Sequence, residues 1–223
     1  WYFEQGDDEE TLVIRDEVTS AEMALPGVLY RPNLEGDVIS GDSLVHFRAR
    51  RRALPKSVRL HDYDPMRPRL AVDGKASIAA SSSNEIVRWG ENVTSPDEAS
   101  HYAIIDTQRI ESTREVFEGH GSAIGLRAGA RFELTDHPSL DGEYLVTSLR
   151  HRARIANQTN AVMSALGFEE LIGLSTPYRV DVVAVRAGVV YRPPVVTAWP
   201  RVAGVVTATV DGPASSVYAQ IDP

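Results

Sequence analysis

Residues 135–155 (TDHPSLDGEYLVTSLRHRARI) place Asp136, His137 and His151 together in a chain with six histidines and no cysteine. Two imidazoles and a carboxylate are the material of a divalent-metal site or an acid–base relay, and both require side chains that converge on one point. The flanking pattern argues against convergence. Phe132 and Leu134 alternate with Arg131, Glu133 and Thr135, and Tyr144 and Val146 alternate with Leu145, Thr147 and Leu149. This predicts two strands joined by a turn-rich loop. His137 then lies in the loop and His151 about eight residues up the returning strand, roughly 25 Å away at ~3.3 Å per residue. His151 is expected on the face of Leu145, Thr147, Leu149, Ala153 and Ile155, partly buried and hydrogen-bonded. Arg150, Arg152 and Arg154 project from the opposite face, toward water or an acidic surface on a partner.

Two other stretches carry reactive residue types. His120 and Ser122 sit in GHGSAIG, residues 119–125, but a nucleophile elbow around Ser122 needs glycine at positions 120 and 124, which are His120 and Ile124. No Gly-Lys-Ser/Thr follows to make a phosphate loop, so a glycine turn between strands is expected. In His61-Asp62-Tyr63-Asp64 the two carboxylates are spaced to share one strand face and a cation. Asp64 precedes Pro65 and no third acidic ligand lies at a suitable short offset, so a solvated turn is the expected outcome.

The elements that must position these residues are mostly strands. WYFEQGDDEETLVI has two β-forming runs around an acidic, glycine-containing turn, a hairpin pattern. Pro26-Gly27 and Pro32-Asn33 signal turns. Val45, Phe47 and Ala49 alternate with His46, Arg48, Arg50 and Arg52, which predicts a strand with the arginines on its wet face. Residues 81–94 read as a polar loop. Ser95-Pro96-Asp97-Glu98 is a helix start, with an N-cap hydroxyl, proline at the first helical position and carboxylates near the positive dipole end. Ala99, Tyr102, Ala103 and Ile110 supply its apolar stripe. Strands are expected at 114–117 and 131–135, a β-rich pair of runs at 178–190, and a proline-punctuated linker before the strand VAGVVTATV.

Composition narrows the function classes. With 43% apolar and 24% charged residues the chain is globular, and its apolar runs are broken long before the roughly 18 residues a membrane-crossing helix needs. A formal charge of -8 disfavours nucleic acid, because phosphate attraction scales with the basic groups presented. The absence of cysteine removes disulfides, thiolate metal sites and thiol nucleophiles together. No signal-peptide pattern precedes Trp1, and the chain reads as an excised piece.

Laid in order, these pieces resemble VgrG, the spike and hub family of type VI secretion, and through it the baseplate hub of contractile phage tails. WYFEQGDDEETLVIRD resembles the family's aromatic hairpin, with Tyr2, Phe3 and Glu4 in place. LPKSVRLHDYDPMRPRLAV resembles its Asp-Tyr-Asp segment through Asp62, Tyr63 and Asp64. GLRAGARFELTDHPSLDGEYLVTSLRHRA matches through Leu126, Gly129, Phe132, Leu134, His137, Pro138, Tyr144, Leu145, Val146 and His151. YRPPVVTAWPRVAGVVTATVDGP resembles the Tyr-Arg-Pro linker and the opening of an OB-fold, with Tyr191, Arg192, Pro193, Pro200, Gly204 and Gly212 in place. The region 161–176 fits poorly.

The resemblance implies a mainly β fold, with a tail-hub (tube-type) β-barrel, a small peripheral α+β domain and the start of an OB-fold. Residues 1–35 would open the peripheral domain, 36–155 form the second hub barrel, 156–192 return to the peripheral domain, and 193–223 begin the OB-fold. It implies a homotrimer that joins the Hcp tube to a spike, takes a PAAR tip and effectors as partners, assembles in the cytoplasm and is translocated into a target cell. It implies neither catalysis nor a cofactor. A baseplate hub of a phage or extracellular injection particle is the alternative within this class. A hydrolytic effector using Ser122 and His120 is the alternative from another class.

Overall fold

The computed structural model describes residues 2–6, 9–14, 23–32, 41–79, 83–153, 178–198, 204–205 and 207, with backbone alone for Tyr2, Glu4 and Gln5. Expectations for Arg154, Ile155, Pro200, Gly212, residues 161–176 and most of VAGVVTATV lie outside them. Described elements are, in chain order, β1 (Tyr2–Gln5), β2 (Glu10–Val13), β3 (Met23–Tyr30), β4 (Ser43–Arg51), β5 (Ser57–Tyr63), β6 (Ala71–Ser77), β7 (Glu85–Trp89), α1 (Pro96–Glu111), β8 (Glu115–Gly121), β9 (Arg131–Thr135), β10 (Gly142–Ala153) and β11 (Tyr178–Arg186). They fall into two interleaved units. One takes Trp1–Leu54, Ala80–Ser82 and Gln108–Arg192; the other takes Pro55–Ala79, Ser83–Thr107 and Pro193–Pro223.

In the first unit a closed barrel runs β10-β11-β8-β4-β3-β9, parallel where β3 meets β4 and β9 and antiparallel elsewhere. Closure leaves no free strand edge. The barrel takes β3 from within residues 1–35 and β11 from within residues 156–192, so strands far apart in sequence complete it. Its interior is filled. Phe47, Phe117, Phe132 and Tyr144 are buried together, with ring centroids 4.7 to 6.2 Å apart in edge and stacked contacts, and Val28, Leu44 and Leu134 pack around them. Each such side chain contributes about 1.5–3 kcal/mol by leaving water. The barrel is a packed body and not a conduit.

Several expectations change here. Pro26-Gly27 is not a turn but lies inside β3, where the pairing with β9 slips between Leu25 and Val28. A proline without an N–H is tolerated at such an irregularity. The glycine turn expected around Ser122 is partly strand, because Gly119 and Gly121 belong to β8. A Cβ on Gly121 would stand 2.1 Å from the Ser43 carbonyl oxygen, so its absence lets β8 approach β4. The expected pair of runs at 178–190 is one strand, β11, followed by a turn closed by Val189 N–H donating to Arg186 O at 3.0 Å. In β10 a register shift between Val146 and Ser148 changes which residues face inward: Tyr144 and Val146 before it, Leu149 after it. Leu145 therefore does not share the Leu149 face; it points outward and packs with Val185 and Tyr191.

The β1–β2 hairpin forms as expected, with Tyr2 opposite Val13 and Gln5 opposite Glu10. It pairs with no other described strand, and Phe3, Leu12 and Ile14 are 46%, 49% and 77% exposed.

The second unit is a sheet of order β6-β5-β7 with most of α1 against it. β7 occupies the middle of the expected 81–94 loop, parallel to β5, with Ile86 and Arg88 half-buried between exposed neighbours. The helix start is as expected: Ser95 Oγ accepts the Glu98 N–H at 3.2 Å, and the Glu98 carboxylate accepts the Thr94 N–H at 2.9 Å. Ala99 and Ala103 are buried, whereas Tyr102, assigned to the same stripe, is half-exposed. Gly74 of β6 touches the helix so closely that a Cβ would lie 2.1 Å from the Ala99 carbonyl carbon.

Candidate functional site

The histidine constellation comes apart on the barrel. His137 Nδ1 accepts the N–H groups of Ser139 (3.2 Å) and Leu140 (3.0 Å), so its proton sits on Nε2 and is donated to Phe47 O at 3.2 Å. Its own N–H donates to the Asp141 carboxylate at 2.7 Å, and its ring lies 4.2 Å from that of Tyr30. Asp136 precedes it with φ 65°, and Pro138 follows, exposed. His151 is ten positions into β10 and bonds through Nδ1 to the Tyr178 hydroxyl. It is exposed, not partly buried as the alternation suggested, because β10 has by then reached the end of the barrel wall.

Ser122 Oγ meets Ser43 Oγ at 3.0 Å and the Gly41 carbonyl at 3.4 Å, ties that hold the start of β4 to the end of β8. His120 stacks on His46 instead, ring centroids 5.3 Å apart and 9° from parallel. The pair therefore offers no nucleophile–base hydrogen bond. Asp62 accepts the N–H groups of Tyr63 (2.8 Å) and Val93 (3.0 Å), led by the Tyr63 bond, and these hold its carboxyl below the ordinary range despite partial desolvation. Asp64 accepts Arg67 Nε (2.7 Å) and the Met66 N–H (2.9 Å), and the Arg67 bond does the most to lower its pKa. The expected solvated turn is not what forms: Asp62 lies in β5 and ties it to the loop before α1, Asp64 is buried and closes the turn after β5, Tyr63 stands 57% exposed, and no cluster of three metal-ligating side chains occurs among the described residues.

The other motif residues are structural. Leu126, Phe132, Leu134, Tyr144 and Val146 fill the barrel, and Gly129 supplies φ 78° in the turn before β9. The buried Tyr144 hydroxyl donates to Leu140 O, and burial pushes its pKa up to about 12. The Arg186 guanidinium lies over the Tyr144 and Phe117 rings, 4.6 and 5.0 Å from their centroids. Tyr191 packs on Leu145 and Val185, and burial raises its pKa. Arg192 Nε donates to Gln108 Oε1 at 3.0 Å, and Pro193 is exposed beyond it. These side chains fasten loops and the Tyr191–Arg192 segment to a barrel.

What the barrel presents is an outer face across β4, β8, β11 and β10. Registers align His46, His120, Asp181 and Arg150 in one row and Arg48, Glu118, Val183 and Ser148 in the next. Glu118 binds Arg48 (2.8 Å) and Arg50 (3.2 Å); Asp181 binds Arg152 (2.6 Å) and Arg179 (2.8 Å). Desolvation first, then Arg179 and His46, lower the His120 pKa against the pull of Asp181. Sequence reasoning placed Arg48, Arg50, Arg150 and Arg152 on wet faces but missed Arg179, Asp181 and Glu118. The alternation Arg179, Asp181, Val183 in YRVDVVAVR was the available signal.

A family model described as phage tail baseplate hub (GPD) matches residues 1–158. Two Pseudomonas aeruginosa PAO1 proteins, the type VI secretion system spike proteins VgrG1c and VgrG1b, are each 29% identical, over 178 and 190 residues. The matches cover 77% and 82% of this chain but 23% and 24% of the relatives, so the chain spans about a quarter of their length. In fold, the chain is similar to the 43 kDa tail protein of prophage MuSo2 from Shewanella oneidensis, with TM-score 0.50 and 12% identity, covering 78% of this chain and 46% of that one. The tail protein from Neisseria meningitidis MC58 is similar at TM-score 0.49 and 6% identity, over 76% of this chain and 47% of that one.

Proposed function

The chain belongs to the phage tail baseplate hub family, and on that premise we propose that it is the hub portion of a VgrG-like spike protein: a homotrimer joining an Hcp-type tube to a puncturing spike and carrying effectors and a PAAR tip. The observation that supports this best is the closed, solidly packed barrel, whose core includes Leu126, Phe132, Leu134, Tyr144 and Val146 of the motif that carries the VgrG resemblance. A filled barrel has no lumen for cargo, and its outer face is left to meet other chains. The hub barrel is the one closed by β3 and β11, with residues 193–223 leading toward an OB-fold. Its role is structural, since each reactive residue type found is committed to a turn, a strand tie or an ion pair. The protein assembles in the cytoplasm and leaves with the spike.

The test is association of the full-length protein with its Hcp-type tube protein, followed by light scattering. A complex of three hub chains per tube ring is expected. A full-length protein that remains monomeric and leaves the tube protein unbound contradicts the proposal.

A further inference from the structure

Four strands end or begin together at one end of the barrel: β4 stops at Arg51, β8 starts at Glu115, β10 starts at Gly142 and β11 stops at Arg186. A cavity of about 460 Å³ opens there, walled by Gln108, Glu111, Arg114, Glu115, Arg186 and the turn at residues 188–190, all within the first unit. Small-molecule sites span roughly 300–1,000 Å³ and occur in the mouths of barrels. The charges on this wall do not balance. Glu115 accepts Arg51 Nε at 2.7 Å, and Arg114 stands 3.6 Å from Glu111. Arg186 has no carboxylate at ion-pair distance among the described residues. Its guanidinium lies over the Tyr144 and Phe117 rings, and its Nη1 donates to the Asp141 carbonyl at 3.2 Å. The position is kept clear for it, since a Cβ on Gly142 would stand 2.9 Å from that nitrogen. A half-buried guanidinium gives up water, and without a counter-charge that loss is not recovered.

We propose that this barrel mouth binds a singly charged carboxylate ligand, with the carboxylate on the Arg186 guanidinium and the body of the ligand against Val189 and Val190. A planar guanidinium matches a carboxylate in charge and in donor geometry. One net charge is specified because Arg186 is the cation left over on the wall, while Glu111 and Glu115 repel a second negative charge, which disfavours a phosphate dianion. The end of α1 does not compete for the ligand: the Gln108, Ile110 and Glu111 carbonyls already accept the N–H groups of Ser112, Thr113 and Arg114. The ligand also has a carbon body. A water's share of liquid volume is about 30 Å³, so a bare halide would leave most of this cavity empty beside two valines. An organic acid and the C terminus of a peptide offer the same chemistry here. The site does not depend on the hub reading, because no part of it needs a second copy.

Saturation-transfer NMR on the full-length protein tests it, with N-acetyl-L-valine, its amide N-acetyl-L-valinamide and butanoate as probes and folding read by circular dichroism. N-acetylvaline is expected to bind with a Kd of ~1 mM or tighter, and the uncharged amide about tenfold more weakly or worse. Arg186→Gln is expected to weaken N-acetylvaline about tenfold or more, whereas Arg69→Gln, at an exposed arginine of the second unit, leaves it unchanged. Because Arg186 also covers buried rings, Gly188→Trp is a second variant: a Cβ there meets nothing within 4 Å, so the fold is kept while the cavity narrows with Arg186 in place. It too is expected to weaken binding about tenfold. Binding of both acids assigns the mouth to organic acids, and binding of N-acetylvaline without butanoate assigns it to peptide C termini. Equal binding of acid and amide overturns the site, as does undiminished binding in a folded Arg186→Gln or Gly188→Trp variant, or no binding of either acid at ~10 mM. A monomeric full-length protein would remove the hub reading and leave this site standing.

Discussion

His137 works as a bracket for main-chain groups. Its ring satisfies two main-chain N–H groups and one carbonyl in a loop where no strand partner is available. His137→Ala leaves those groups without protein partners, and since such bonds contribute about 1 kcal/mol each, a loss of about 1–3 kcal/mol is expected by urea unfolding. An unchanged midpoint would remove this role. His120 leads to a pH dependence. Its folded pKa lies below the ordinary value, so the unfolded chain binds more protons near pH ~6.5 and the associated stability is present above that pH and lost as pH falls through it. The urea midpoint is expected to drop between pH ~7.5 and ~5.5, and His120→Gln to flatten that slope. An identical slope in the variant would contradict the assignment. The groups facing the ring are His46 on β4, Glu118 beside it on β8, Arg179 and Asp181 on β11, and Arg150 on β10.

At the scale of elements, Gly74 fixes how closely helix and sheet pack in the second unit. A methyl group there overlaps the Ala99 and Ser100 backbone, which cannot move aside as a side-chain tip can. Gly74→Ala is expected to cost about 1–3 kcal/mol, read as a lowered melting temperature, and an unchanged melt would show that the helix shifts freely. The same elements show what was legible in sequence. The hairpin, β4, β9 and the helix start were legible because strand alternation and N-capping act between residues a few positions apart. β7 was not, because a Ser/Asn-rich stretch becomes strand through a partner, β5, more than twenty positions earlier. The run through Pro26-Gly27 likewise becomes β3 because β4 and β9 flank it on both sides. The β10 register shift changed the facing of Leu145 through strand pairing that no local pattern records. At the candidate site, residues on predicted wet faces were found. Arg179 and Asp181 acquired meaning only once β11 was placed between β8 and β10.

For the whole molecule, the proposed hub function resides in surfaces. The barrel interior is full, the reactive residue types singled out among the described residues are tied down locally, and arginines are concentrated on one outer barrel face. The most direct test is single-particle imaging of the full-length protein. The account predicts a threefold particle with the β3–β11 barrel repeated around the axis and its arginine face turned to a neighbour. Monomers, or a twofold particle with that face in solvent, would contradict it.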